Sequence, residues 1–130
     1  MALKELRQSP TMARLLDALD DGQDVGHYGR LVFAMVARHF LKESEIVRHL
    51  ARDKDFSEDE ARSLYRQVVS RDYNPPRRDR ILAWQADQEF KLIPNPDDPD
   101  AGNLYRELTF PDGVYDDINE YREQKAEATS

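Results

Sequence analysis

Apolar residues recur at intervals of three to four along much of the chain, a spacing typical of amphipathic helices rather than strands. Ser9 and Pro10 form an N-cap and first-turn pair, and apolar residues at this spacing follow them until Gly22. From about Val25 to Leu41, apolar residues cover most sides of the next segment. The pattern predicts one amphipathic helix followed by a more deeply buried, central helix.

The middle of the chain carries two further helix starts and one clear interruption. Ser44 is predicted to cap a short helix that packs on the central one. Ser57 and Glu60 form a capping box, in which each side chain satisfies a free backbone amide of the other residue. The proline pair at positions 75–76 must end the helix that follows, because proline lacks an amide hydrogen and disfavours helix in the residue before it.

The C-terminal third is less regular. We expect a helix from near residue 76 to about residue 89, a helical turn around residues 104–108, and a last helix over about 113–124 with Asp112 as its cap. Alternating strand patterns are scarce in this part of the chain, as elsewhere.

The fold class predicted is therefore mainly α: a compact helical bundle of about five to six helices with an irregular C-terminal third. Any sheet is at most a small hairpin near residues 91–93 and 108–110. The length of 130 residues fits a single helical domain over residues 1–130, with an acidic loop and short helices at 91–130.

The charge is divided unevenly along the chain. The net charge is −7, but residues 1–90 hold 15 basic and 16 acidic side chains, whereas residues 91–130 hold 4 and 10. The balance argues against a simple basic nucleic-acid coat and leaves room for a local basic face. No apolar run reaches the roughly 18 residues of a membrane span, and the first residues lack the apolar stretch of a signal peptide. We expect a soluble, cytoplasmic protein with no membrane partner.

Several chemistries find no support in the sequence. The chain has no cysteine, which excludes disulfides, thiolate metal sites and thiol nucleophiles. The three histidines are ten or more residues apart, and the acidic loop at Asp97, Asp98 and Asp100 has the wrong offsets for an EF-hand. Neither a glycine-rich phosphate loop nor a nucleophile elbow is present. We expect no enzyme activity, no metal and no cofactor.

One candidate binding motif opens the longest apolar helix. His27 and Arg30 are three residues apart at its start and share a face, where free backbone amides also point outward. We expect Arg38, about two turns later, to lie on the same face and to converge with them on one groove. A guanidinium group binds phosphate through two hydrogen bonds, and an imidazole can donate to the same group. The alternative interpretation is an ordinary capped helix start.

A second candidate is a local excess of arginine between positions 62 and 80. The six arginines face only Asp72 and Asp79 in this stretch. They are Arg62, Arg66, Arg71, Arg77, Arg78 and Arg80. Arg77, Arg78 and Arg80 lie near the start of the helix that follows the proline pair. A helix start already carries partial positive charge, so a bound phosphate would explain why arginines are placed there. Neutralisation by nearby carboxylates, or a solvated helix face, explains them equally well.

The order of these features resembles the C-terminal domain of the archaeal and eukaryotic primase large subunit, over roughly residues 9–105. In that family a proline motif introduces a leucine-faced helix, as at residues 9–16 here. A histidine, two residues and an arginine then open a long apolar helix, as at His27 and Arg30. Similar segments follow at 43–47, 55–56 and 65–68, and a tyrosine before a proline pair stands at 73–76.

The chain departs from the family at its four cysteines, which hold an iron–sulfur cluster there. The corresponding positions fall near Thr11, Arg77 or Arg78, Ile93 and Gly102. The resemblance thus implies a version without the cluster, held together by packing and polar contacts.

The resemblance implies a non-catalytic domain that binds single-stranded template DNA and a primer with a 5′-triphosphate, beside a separate catalytic primase subunit. Its binding residues carry over onto His27, Arg30 and Arg38, whereas Tyr65 and Arg66 match less closely. Charge alone adds Arg71, Arg77, Arg78 and Arg80.

Two further interpretations concern other parts of the chain. Tyr28, Tyr73 or Trp84 would add base stacking, although each type is more often a core residue. The alternative function is an acidic protein-interaction module, a regulator or inhibitor that presents residues 97–127 to a basic partner.

Overall fold

The structure is a computed structural model that describes residues 2–99, 101–111 and 113–114. In these residues seven helices follow one another, and no strand is present. The helices are α1 (Ala2–Leu6), α2 (Pro10–Asp20), α3 (Gly26–Ala37), α4 (Glu43–Leu50), α5 (Glu58–Ser70), α6 (Arg78–Gln85) and α7 (Leu104–Glu107). The predicted mainly α fold is confirmed. The predicted last helix over 113–124, with its cap, lies almost wholly outside the described residues.

Helix α3 is the centre of the bundle, as its apolar pattern predicts. It packs against α2, α4 and α5, and its Val32, Phe33 and Val36 are fully buried. One hydrophobic cluster joins these residues to Leu6 near the start of the chain and Val114 at the end of the described part. Helix α1 was not predicted, because five residues are too few to show a helical period.

Of the three predicted N-caps that lie in the described residues, two are confirmed. The Ser9 hydroxyl accepts a hydrogen bond from the Met12 amide at 3.2 Å. At the start of α5, the Glu60 amide donates to Ser57 Oγ at 3.1 Å and the Ser57 amide donates to Glu60 Oε1 at 3.2 Å. Local capping chemistry therefore sets where α2 and α5 begin.

The predicted cap of α4 is wrong by two residues. The helix begins at Glu43, its N-cap is Lys42, and Ser44 lies inside the first turn. The Lys42 amide donates to Glu45 Oε1 at 3.4 Å. A carboxylate at the third helical position thus satisfies the first free amide here, and no hydroxyl is needed.

The irregular segment after α6 is fastened to that helix by polar side chains. The buried Gln85 donates from Nε2 to the Ile93 carbonyl and accepts from the Ile93 amide at Oε1, both at 2.8 Å. This two-way bond satisfies the Ile93 backbone as a strand partner would, although residues 91–93 and 108–110 form no hairpin. Helix α6 is also shorter than predicted, since it begins two residues after the proline pair and ends at Gln85.

Candidate functional site

An open cleft with a volume of about 740 Å³ lies between α3, the chain around the proline pair and α6. Its walls are built by His27, Tyr28, Leu31 and Met35 of α3 on one side and by α6 on the other. The interruption at the proline pair separates α5 from α6 and supplies part of the lining itself. The predicted interruption of the helix thus forms part of the cleft.

Two aromatic rings are stacked inside the cleft. The ring centroids of Tyr28 and Trp84 lie 3.7 Å apart with an interplanar angle of 24°. Tyr28 is 5% exposed and Trp84 is 40% exposed, so the tyrosine forms the buried layer and the indole the outer one. A half-exposed indole backed by a second ring is a flat, apolar surface on which another planar ring can stack.

The hydroxyl of Tyr28 is an unusual feature of this cleft. It is buried, and no hydrogen-bond partner for it occurs among the described residues. Burial raises the pKa of Tyr28 to about 12, while the positive charge of Arg80 acts to lower it. The hydroxyl therefore keeps its proton at neutral pH and is a donor without an acceptor. Leaving such a group unsatisfied costs about 1–3 kcal/mol, which an oxygen atom of a ligand would recover.

Three of the predicted site residues, His27, Arg77 and Arg80, line this cleft. His27 and Arg80 are exposed, and within the described part of the chain neither side chain has a hydrogen bond or an ion pair. Arg77 is half-buried at the N-cap of α6, a helix start without a side-chain cap. The spacing of Arg77, Arg80 and Trp84, three and then four residues, puts two cations and the indole on one stripe.

The predicted convergence of His27, Arg30 and Arg38 does not occur. The guanidinium of Arg30 lies 3.5 Å from Asp24, 3.9 Å from the buried Asp53 and 4.4 Å above the ring of Phe56. The Arg30 side chain is only 13% exposed. It is held in the body of the bundle by two carboxylates and an aromatic ring rather than presented to the cleft.

Arg38 is likewise engaged within the bundle. Its Nη2 donates to Asp72 Oδ1 at 2.7 Å and to the Tyr73 carbonyl at 3.1 Å. Arg38 follows the last residue of α3, and eight residues at about 100° each leave it about 80° around the helix axis from Arg30. The sequence spacing alone therefore did not place the two guanidinium groups on one face.

Arg78 binds backbone oxygens instead of facing the cleft. Its guanidinium donates to the carbonyls of Ala101 at 2.8 Å, Pro96 at 2.9 Å and Asp98 at 3.0 Å. These bonds use the fork of the side chain to fix the acidic loop against α6. The structure gives Arg78 a structural role in the described residues.

The remaining predicted residues lie on or just after α5, outside the cleft. Tyr65 is half-buried and packs on the core, and Arg66 Nε lies 3.6 Å from Glu43 Oε1. Arg71 is exposed, and its Nη1 donates to the hydroxyl of Tyr73 at 3.4 Å. Arg71 therefore touches one aromatic that lines the cleft without lining it itself.

Other residues of the cleft were not predicted as site residues. Gln67, Asn74, Asp79 and Tyr105 all line it. The Tyr105 hydroxyl donates to the Pro75 carbonyl and so ties α7 to the proline pair. They lie on α5, before the proline pair, on α6 and on α7, and they meet only when these parts of the chain pack together.

Comparison with protein-family models, with curated proteins and with solved structures gave no match. Among the described residues, no group of three or more acidic or histidine side chains is arranged to hold a metal ion. Within the same residues, no helix combines the length and the apolar character needed to cross a membrane. Much of the acidic surface at residues 97–127 lies outside the described part.

Proposed function

We propose that this protein is a non-catalytic domain that binds the phosphorylated end of a single-stranded nucleic acid in the cleft between α3 and α6. The stripe of Arg77, Arg80 and Trp84 carries this proposal, because it joins two cations to an exposed aromatic surface. Proteins that bind single strands combine cationic grooves with stacking aromatics in this way. A basic residue of α3, His27, stands on the opposite wall.

The proposal extends to an accessory role of the primase type. In that role the domain holds the template or the 5′-triphosphate of the primer, while a separate catalytic subunit joins the nucleotides. Packing near the positions of the family's cysteines supports this view. A Cβ atom at Gly102 would lie 2.1 Å from Cδ1 of Ile93 and 3.8 Å from Cγ of Arg78, so three of those four positions adjoin one another.

The proposed ligand site differs from the one that the resemblance implies. Of the three residues carried over from the family, only His27 lines the cleft. Arg30 and Arg38 are paired with carboxylates that do not line the cleft. The phosphate-binding groups in this proposal are therefore Arg77 and Arg80, with His27 facing them.

The test is a binding titration with a short single-stranded DNA labelled at its 3′ end and carrying a 5′-triphosphate. For two to three phosphate contacts, we expect affinity to fall about tenfold between about 50 and about 200 mM salt. Arg80→Gln should weaken binding about threefold to tenfold and reduce the salt slope by about 0.7. Arg48→Gln is the matched control, because Arg48 is an exposed arginine on α4 outside the cleft.

Two results would contradict the proposal. One is the absence of any salt-dependent binding to the wild-type protein. The other is an equal loss of affinity in Arg80→Gln and Arg48→Gln, which would indicate a diffuse effect of charge. Titration with a 5′-hydroxyl strand of the same sequence measures how much of the affinity comes from the terminal phosphates. Titration with a free nucleoside triphosphate tests whether binding needs the rest of the strand.

A further inference from the structure

The two layers of the aromatic stack differ in a way that bears on what the cleft recognises. A centroid separation of 3.7 Å leaves no room for another ring between Tyr28 and Trp84. The outer layer, Trp84, nevertheless keeps 40% of its surface exposed, and it is one of only three large apolar side chains exposed in the described residues. The surface available to a ligand ring is therefore the outer side of the indole.

The polar groups around the stack suit a nucleotide rather than an apolar ring alone. Arg80 precedes Trp84 by four residues, which places its side chain beside the indole on the same face of α6 and about 6 Å along the axis. Arg80 and Tyr28 also line the same cleft, and the charge of Arg80 acts on the Tyr28 hydroxyl. A base on Trp84 would thus bring its own phosphate toward Arg80.

The unsatisfied hydroxyl of Tyr28 supplies an independent indication of a ligand. Tyr28 lines the cleft and is only 5% exposed. Its hydroxyl has no acceptor among the described residues. Buried hydroxyl groups nearly always have a partner. An oxygen atom of a nucleotide bound in the same cleft would supply the missing acceptor.

We infer that the outer face of Trp84 is a stacking subsite for one nucleobase of the bound strand, with the Tyr28 hydroxyl donating a hydrogen bond to the same nucleotide. This inference rests on the proposed function and adds to it a dependence on a base, separate from the dependence on phosphate. Stacking is sequence-tolerant, because every base has a π face. Removal of the base should therefore matter more than its identity.

The experiment compares three 5′-phosphorylated single strands that differ only at the terminal nucleotide: a purine, a pyrimidine and an abasic site. Trp84 is the sole tryptophan of the chain, so its fluorescence reports on this subsite without labelling. We expect both strands with a terminal base to quench Trp84, and the abasic strand to leave its emission nearly unchanged. Loss of the base should weaken binding about 5-fold to about 150-fold.

Variants separate stacking from a general effect on the fold. Trp84→Ala should bind the strands with a terminal base and the abasic strand with equal affinity. Trp84→Phe should restore part of the difference in affinity between them. Val69→Ala is the control, because Val69 is an equally exposed apolar residue on α5. Tyr28→Phe keeps the ring and should lower the affinity for the strands with a terminal base about threefold to tenfold.

The outcomes are distinguishable from those of the proposed function. If the wild-type protein binds the strands with a terminal base and the abasic strand equally well, and Trp84 is not quenched, the stacking subsite is wrong. Phosphate binding would be unaffected by that result. Unchanged affinity in Tyr28→Phe would overturn the role of its hydroxyl. Failure of every strand to bind would remove the proposed function and this inference together.

Discussion

Arg38, just after α3, is joined to Asp72, just after α5, by a hydrogen bond of 2.7 Å between Nη2 and Oδ1. Asp72 has a φ of 51°, and it is the one described residue other than glycine with a positive φ. The left-handed conformation is uncommon for residues with a Cβ atom, but aspartate tolerates it better than most. The ion pair therefore holds α3 against the turn that ends α5 and begins the cleft wall.

The first prediction follows from this pair. Arg38→Gln should lower the free energy of unfolding by about 1–2 kcal/mol, because the side chain is mostly buried and bonds both a carboxylate and a carbonyl. Urea unfolding measures this loss. Binding of the triphosphate strand under folding conditions should change less than twofold. A loss of binding as large as that of Arg80→Gln, with unchanged stability, would instead support a direct role for Arg38.

A second prediction concerns the close contact between Gly102 and Ile93 in the C-terminal segment. Gly102 has a φ of +83°, and a Cβ atom there would lie 2.1 Å from Cδ1 of Ile93. Gly102→Ala should lower the free energy of unfolding by about 2 kcal/mol or more, from strain and overpacking together. Thermal unfolding tests this. Gly113→Ala is the control, since a Cβ there has no described atom within 4 Å apart from those of its chain neighbours. Equal stability of the two variants would contradict the packing seen at Gly102.

A third prediction concerns the buried hydroxyl of Tyr28. Tyr28→Phe should raise the free energy of unfolding of the unliganded protein by about 1 kcal/mol, because it removes a donor that has no partner among the described residues and keeps the ring stack. Tyr105→Phe should have the opposite effect, because its hydroxyl is hydrogen-bonded to Pro75. Denaturant titration of both variants compares the two. Destabilisation by Tyr28→Phe would mean that the hydroxyl is already satisfied in the free protein.

The raised pKa of Tyr28 adds an alkaline test of the same residue. In the unfolded chain the phenol ionises near its ordinary pKa of about 10, whereas in the fold it ionises at about 12. The folded protein thus favours the neutral form, and its stability should fall as pH rises from 10 through 12. The fall should be smaller in Tyr28→Phe when unfolding is compared at pH values of about 9 and about 11.

A fourth prediction concerns the loss of stability at low pH and the part that His39 has in it. His39 is half-buried, its ring packs edge-on against Phe110 at 5.6 Å, and its Nε2 has no hydrogen-bond partner among the described residues. Burial lowers the pKa of His39, the Arg38 charge acts in the same direction, and Asp72 opposes them. The fold therefore favours the neutral ring.

The sign of the pH effect follows from that preference. Above the ordinary histidine pKa of about 6.5 both states are neutral and the stability is fully present. Below it the unfolded chain takes up the proton first, so stability should fall as pH drops toward the lower pKa of the fold. His39→Phe should reduce this fall between about pH 7.5 and about pH 5 in thermal unfolding.

Local signals in the sequence determined most of the helical architecture. The caps at Ser9 and Ser57 and the proline pair act within a few residues, and the apolar spacing identifies α3 as central, so each could be read without knowledge of the packing. The start of α4 was missed because a glutamate replaces the hydroxyl cap there. The hairpin was not formed because Gln85 satisfies the backbone of Ile93 instead.

The tertiary structure alone decided which arginines face the cleft. Arg30, Arg78 and Arg80 each lie in the first turns of a helix, and their roles differ through the partners that the fold brings to each. A buried carboxylate holds Arg30, loop carbonyls hold Arg78, and no described residue pairs with Arg80. Likewise Tyr28 and Trp84 are 56 positions apart and become a stack only when α3 and α6 pack. Charge and spacing are local properties, whereas pairing and burial are set by the fold as a whole.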